Sequence, residues 1–291
     1  MPTSAKGRCD DSRAHLLLPQ TSLCGLLFAG VVRDLRGENL RPDEHFNCLP
    51  ALPLCSVTWI YEGELHLVND DGQIDPTPLP QIFVAGPYRR PLFSWSAAPF
   101  FSMTIGFYAD AWTILTGVDA GGLIDQREPL ERVSLGELSQ VFRAVLECGS
   151  SEDGFSYLQD RLDPLWQEVR PEGNALAPQR LEDWTRDLAA RAAFSGPEIS
   201  ERQIQRRIKS WTGQTLRELR FHARAESLFA LSHTAPSEVD LAKVAAEAGY
   251  SDQSHMGRAI RRITGESPAK INRLIHSDER YWIYRLLGQR L

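Results

Sequence analysis

The sequence predicts an α+β chain with a strand-rich front and an all-helical back. Three observations carry this. From Leu23 to Phe107 the apolar residues fall in short β-branched and aromatic runs, parted by Gly, Pro, Asn and Asp, as in strands and turns. After Phe107 the apolar spacing changes to that of helices. The charge divides as well: 16 Lys and Arg stand against 28 Asp and Glu before residue 200, and 16 against 10 from there on. An acidic front and a basic back suit two modules with different partners, one of which could be a polyanion. At 291 residues, 42% hydrophobic and 24% charged, the chain has the composition of a globular protein and the length of two domains, which excludes disordered and collagen-like chains.

Taken in order, the strand candidates are Leu23–Val32, Cys55–Tyr61, Glu64–Val68, Gln81–Ala85, Leu92–Trp95 and Phe101–Phe107. Asn69-Asp70-Asp71-Gly72 has turn chemistry, because Asn, Asp and Gly tolerate positive φ. A small antiparallel sheet or barrel is expected. Ser134 with Glu137 three residues later reads as a helix start, followed by Leu135, Leu138, Val141, Phe142 and Val145 at helical spacing. A second helix is expected over 154–169, kinked or ended by Pro164. Pro171-Glu172-Gly173-Asn174 and Pro178 read as a linker. The expected domains are therefore 1–170 and 179–291, joined by 171–178.

Several functions are disfavoured. The five cysteines have no C-x-x-C spacing, so neither a structural zinc site nor a disulfide framework is indicated, and reduced thiols in the cytoplasm are expected. The apolar run Leu16–Val32 is broken by Pro19-Gln20-Thr21-Ser22, and Asp10 and Asp11 spoil a positive leader, so export is not expected. Nor is a membrane span, for want of a long enough apolar stretch. A metal-dependent barrel enzyme would need converging histidines, and the strand region has only His45 and His66, 21 residues apart. Cys24, Cys48 and Cys55 lack an evident base. No catalytic residue, metal or cofactor is therefore expected.

The informative segment lies near the C-terminus. Asp240 can cap a short helix in which Leu241, Val244, Ala245 and Ala248 share a face and which Gly249 ends. Ser251 can cap a second helix beginning at Asp252. There Met256, Ala259, Ile260 and Ile263 face inward, leaving Gln253, Ser254, His255, Arg258, Arg261 and Arg262 toward solvent. Two short helices around a tight Gly turn, the second bearing amide, hydroxyl and guanidinium groups, have the form that enters a major groove. Gln pairs with adenine and Arg with guanine or phosphate. An amphipathic hairpin with a merely solvated Arg face fits the same spacing.

The run from Ala246 to Pro268, with its Gly249-Tyr250 turn, Asp252-Gln253-Ser254-His255 stretch, Arg258 and closing Gly265-Glu266-Ser267-Pro268, resembles the signature of AraC/XylS-type transcriptional regulators. It departs at Met256 and Ile260, where Phe is usual, and at Gly257. The family carries two such units, and Ser200–Gly213 resembles the other recognition helix: Ser200 would cap it, Ile204, Ile208 and Trp211 would go inward, and Gly213 would end it. Ala192–Ile199 holds a Gly and a Pro where the family has helix, so a shortened first unit is expected. Leu216–Leu231 resembles the connecting helix, and residues 277–288 would add a terminal helix.

This resemblance implies an all-α DNA-binding domain with two helix-turn-helix units. Its base readers would be Arg202, Gln203, Gln205 and Arg206, then Gln253, Ser254, His255 and Arg258, with Lys209, Arg261 and Arg262 on phosphates. Phe83–Pro91 and Phe100–Phe107 resemble the small, cupin-like barrel that such regulators place in front for sensing or dimerisation. Trp59, Tyr61, Trp95 and Phe101 are candidates to line an effector pocket there, with Arg89 or Arg90 to meet an anion. The implied partners are double-stranded DNA, a small-molecule effector, a second copy of the chain and, if the outcome is activation, RNA polymerase. The alternative function is a small-molecule binding protein or barrel enzyme with a helical interaction tail.

Overall fold

The computed structural model of the chain describes residues 13–171, 180–194, 200–234 and 253–289, with the backbone alone at 227–234, 253, 255 and 289. Ten strands form two antiparallel sheets. One has the order β1 (Ala14–Leu17), β2 (Leu27–Asp34), β9 (Phe101–Tyr108), β4 (Leu54–Glu62), β7 (Ile82–Ala85), β10 (Arg127–Pro129). The other has the order β3 (Phe46–Leu49), β8 (Leu92–Ser96), β5 (Leu65–Val68), β6 (Ile74–Pro78). β1, β3, β6 and β10 are additions to the expected strands. β6 is exposed along its length and carries Pro76 and Pro78, which a sheet edge tolerates because no neighbour needs their missing N–H. The turn at Asn69 forms as expected: its side-chain oxygen accepts from the N–H groups of Asp71 and Gln73, and Gly72 has φ +78°.

The two-residue period of the strands assigns opposite tasks to their faces. Leu54, Ser56 and Thr58 of β4, with Ser102, Thr104 and Gly106 of β9, line a cavity of about 180 Å³ between the sheets. The alternate residues Cys55, Val57, Trp59, Met103, Ile105 and Phe107 are fully buried on the other face. Helices α1 (Ala109–Thr116), α2 (Leu138–Ala144) and α3 (Ser151–Val169) cover that face. There the Trp59 Nε1–H donates to the Phe142 carbonyl at 2.6 Å, and Phe107 meets Trp112 edge-on at 5.3 Å between ring centres.

Two helix expectations need correction. Ser134 does not start a helix, because Gly136 at φ +56° turns the chain first and α2 begins only at Leu138. Pro164 does not end α3, which runs to Val169. Both Pro164 and Asp160, whose carbonyl loses its partner to the proline, lie on the solvent side, where water can take the place of the missing donor. Its N-cap is Ser150, whose hydroxyl accepts from the Asp153 N–H at 3.1 Å.

The back of the chain is helical: α4 (Leu181–Phe194), α5 (Glu201–Thr212), α6 (Leu216–Thr234), α7 (Gln253–Thr264), α8 (Pro268–Ser277) and α9 (Trp282–Gln289). Met256, Ala259, Ile260 and Ile263 are buried as their spacing predicts, and so are Ile208, Leu219 and Ala223. The terminal helix does more than pad this part: Trp282, Ile283 and Leu287 of α9 also wall the barrel cavity. The expected helix at Asp240–Gly249, the Ser251 cap and nearly all of the 171–178 linker lie outside the described residues.

Candidate nucleic-acid interface

α5 and α7 end in the same device, displaced by 52 positions in sequence. Arg206-x-Ile208-x-x-x-Thr212-Gly213-x-Thr215 matches Arg258-x-Ile260-x-x-x-Thr264-Gly265-x-Ser267. Thr212 and Thr264 each donate to the carbonyl of the isoleucine four residues earlier, at 2.9 Å in both cases. Each hydroxyl also accepts from the N–H two residues on, at 3.2 and 3.0 Å. Gly213 and Gly265 follow at φ +71° and +79°, a left-handed conformation that only glycine adopts without strain. One stop signal thus closes two helices that carry different polar faces.

Those faces are open to solvent. Arg202, Gln203, Arg206 and Lys209 are exposed on α5, with Gln205 half-buried; Ser254, Arg258, Arg261 and Arg262 are exposed on α7. The side chains of Gln253 and His255 lie outside the described residues. Two of the candidates are already engaged. Gln203 completes a capping box: its side-chain oxygen accepts from the Ser200 N–H at 2.8 Å, while the Ser200 hydroxyl accepts from the Gln203 N–H. Arg262 lies 3.8 Å from Glu218 of α6 and over the Phe221 ring. The first unit's lead-in is α4, an unbroken helix through Phe194; Gly196 and Pro197 fall outside the described residues.

The barrel grips both units at equivalent positions. The Thr113 hydroxyl of α1 lies 3.5 Å from the carbonyl of Trp211 in α5, and the Ala51 N–H donates to the carbonyl of Ile263 in α7 at 2.9 Å. Trp211 and Ile263 are the same place in the two matching segments. His222 of α6 hydrogen-bonds the Ala51 backbone too, and burial pushes its pKa down to about 4, helped by the positive charge of Arg262. The fold therefore holds this imidazole neutral. Between pH 6.5 and about 4 the unfolded chain binds a proton that the folded chain refuses, so stability present above pH 6.5 is lost as pH falls toward 4. The loss is expected to reach about 3 kcal/mol. Urea midpoints measured from pH 7 to 4.5 check this: they should fall more steeply in the parent chain than in His222→Gln.

None of the six effector candidates lines the cavity, and strand parity gives the reason for most of them. Trp59 points at α2. Tyr61 stacks on Phe101 at 4.8 Å, away from the lumen. Trp95 lies on the outer face, where its ring meets His45 and His66. Arg89 and Arg90 are exposed. The residues that do line the cavity include Ser56, Thr58, Ser102 and Thr104, several leucines, the aromatic Phe28, Phe83, Phe100 and Trp282, and the cations Arg33 and Arg127. The aromatics singled out on β4 and β9, Trp59, Tyr61 and Phe101, have the parity opposite to the lining residues; the inward parity of Ser56, Thr58, Ser102 and Thr104 was the available signal. Burial pushes the Cys48 thiol up to about 11 and that of Cys55 higher still, which makes both inert.

Two like-ended helices with cationic, solvent-facing sides, joined through a long helix, stand beside a strand-built cavity, an arrangement with the charge and shape to meet a duplex. The profile of a family described as "Helix-turn-helix domain" matches residues 197–273, a range that includes α5 and α7. The chain carries a helix-turn-helix domain there. Its front is the antiparallel-sheet domain expected from the sequence.

Among solved structures it is similar to ToxT from Vibrio cholerae, at 12% identity and a TM-score of 0.38 over 80% of this chain and 95% of that one. The apo form of a ToxT point variant gives 12% and 0.37, over 84% and 96%; a ToxT described as bound to unsaturated fatty acid gives 11% and 0.33, over 78% and 93%. Likeness at that level decides nothing about function. No curated protein matches the chain.

Proposed function

We propose that α5 and α7 lie in successive major-groove segments on one face of a duplex, about 34 Å apart, and that the barrel cavity holds a small effector that tunes this binding. The observation that supports it is the matched ending of the two helices, which leaves Arg206 and Arg258 at equivalent exposed positions. In this reading Arg202, Gln205 and Arg206, with Gln253, Ser254, His255 and Arg258, read bases, and Lys209 and Arg261 neutralise phosphates. Gln203 and Arg262 hold their helices in place until DNA draws them off. Contact with RNA polymerase, pairing of two chains and a cytoplasmic location go with the same reading. Among the described residues no helix is long and apolar enough to cross a membrane.

Titrating the chain with a mixed pool of duplex DNA at two salt concentrations tests the reading. Affinity should fall steeply with salt, by about 0.9 log units per log unit of salt for each phosphate neutralised. Once a site has been selected from the pool, Arg258→Ala should weaken it by about 1–3 kcal/mol and relax one base position. A salt-independent affinity, or none, refutes the proposal and favours a small-molecule binding protein.

A further inference from the structure

Arg89 and Arg90 stand exposed in the segment from Gly86 to Pro91 that joins β7 to β8, and among the described residues neither makes a salt bridge. The segment that carries them is pinned along its length. The Tyr88 N–H donates to the Leu52 carbonyl at 2.9 Å, the Arg89 N–H to the Asp125 carboxylate at 2.8 Å, and the Asp125 N–H to the Pro87 carbonyl at 2.9 Å. Pro87 and Pro91 fix φ on either side. Two guanidinium groups are thus displayed on a backbone already ordered, so a partner held there costs side-chain entropy alone.

This segment meets the helical part at the end of α7. A Cβ built on Gly265 would be 3.6 Å from Pro91 Cγ and 3.9 Å from Phe93 Cζ. Glu218, in the first turn of α6, feels Arg89 and Arg262 together. Burial opposes its ionisation, yet hydrogen bonds from Thr215 and then the charges of those two arginines hold its carboxyl below the usual carboxylate range. One oxygen of Glu218 accepts from the Thr215 N–H and hydroxyl, both at 2.9 Å, and the other lies 3.8 Å from Arg262. A single carboxylate, half committed to its own helix, thus stands between a cation of the barrel and one of α7. The surplus charge is positive, and it continues from Arg262 to Arg261 and Arg258 on the exposed side of α7.

We infer that Arg89 and Arg90 hold phosphates of the same duplex, on the flank of the segment that α7 enters, so that the barrel is itself part of the DNA-binding surface. The chemistry suits this partner: B-DNA carries one negative charge per roughly 1.7 Å of axis, and a guanidinium meets a phosphate with paired N–H groups. The inference rests on the reading of α5 and α7 as groove helices and extends it. Because the Ala51 N–H already ties the barrel to the Ile263 carbonyl of α7, a shift of the barrel against that helix would change how many phosphates the chain holds.

Salt-dependent titration of the full chain with the mixed duplex pool, and with a site selected from it, tests this. The double variant Arg89→Ala, Arg90→Ala should reduce the slope of log affinity against log salt by about 1.8, the share of two phosphates, and weaken binding roughly tenfold or more at about 0.1 M salt, equally on both DNAs. Each single substitution should take about half of that reduction. The pair Arg89→Lys, Arg90→Lys keeps the charge and should stay near the parent. Phosphate-ethylation interference on the selected site locates the contact: the alanine pair should release phosphates on one flank and leave those around α5 unchanged. An unaltered slope, or weaker binding with an unaltered interference pattern, overturns the inference while the parent's own binding upholds the groove reading. A parent chain that ignores duplex DNA overturns both.

Discussion

Replacing Asp110 with alanine is expected to destabilise the chain by about 3–5 kcal/mol, among the largest single effects available at the junction of its two halves. Asp110, in α1 of the front domain, is 4% exposed. One of its oxygens accepts from Trp184 Nε1 at 2.8 Å and the other from Arg191 Nη2 at 2.5 Å, both on α4. The Arg191 guanidinium also donates to Asp187 at 2.6 Å and lies near the Trp211 ring of α5. Alanine would leave a largely buried guanidinium with half its counter-charge and a buried indole N–H without its acceptor. Asp110→Asn keeps an acceptor for Trp184 and should lose less. Denaturant unfolding of the three proteins checks both statements; an alanine variant within about 1 kcal/mol of the parent would show that the pair adds little to this junction.

The second large effect concerns two glycines that the sequence makes look equivalent. Gly213→Ala should cost about 2–4 kcal/mol and Gly265→Ala only about 1, the ordinary penalty for a side chain in the left-handed region. Both have positive φ. A Cβ on Gly213, however, would come 2.4 Å from the Cα of Gly121 and 2.8 Å from Ile124 Cδ1, in the front domain. On Gly265 the nearest atom would be Pro91 Cγ at 3.6 Å, an ordinary contact. Relief of the first clash requires backbone to move, so Gly213→Ala should also loosen α5 from the barrel and change DNA affinity, whereas Gly265→Ala should leave it near the parent value. Equal destabilisation by the two would refute this asymmetry.

Much of the back half was legible because its signals are local. Ser200, Gly213 and Thr264-Gly265 punctuate helices through their own hydrogen bonds and backbone angles, Ser267-Pro268 through the extended Ser267 and the fixed φ of Pro268, and Met256, Ala259, Ile260 and Ile263 follow a period that any helix with one buried face must show. Strand runs were legible for the same reason, except where they were short or exposed, as in β6. Pro164 misled because its effect depends on whether the released carbonyl meets water, and the surroundings decide that.

By itself the sequence determined an α+β chain, a strand-built front, helices at the back with the Ser200 cap of α5, and which face of α7 goes inward, since each follows from residues within a turn or two of one another. Only the tertiary structure decided where the cavity lies and what lines it. Two sheets, a hydrogen bond from Trp282 to Asn47 across 235 residues of chain, and a returning terminal helix had to come together before the cavity had its walls. Large side chains went to the helix-covered face because that is where area can be buried. On the central strands β4 and β9 the lumen face was left largely to Ser56, Thr58, Ser102, Thr104 and Gly106, whose small volume leaves room for the cavity.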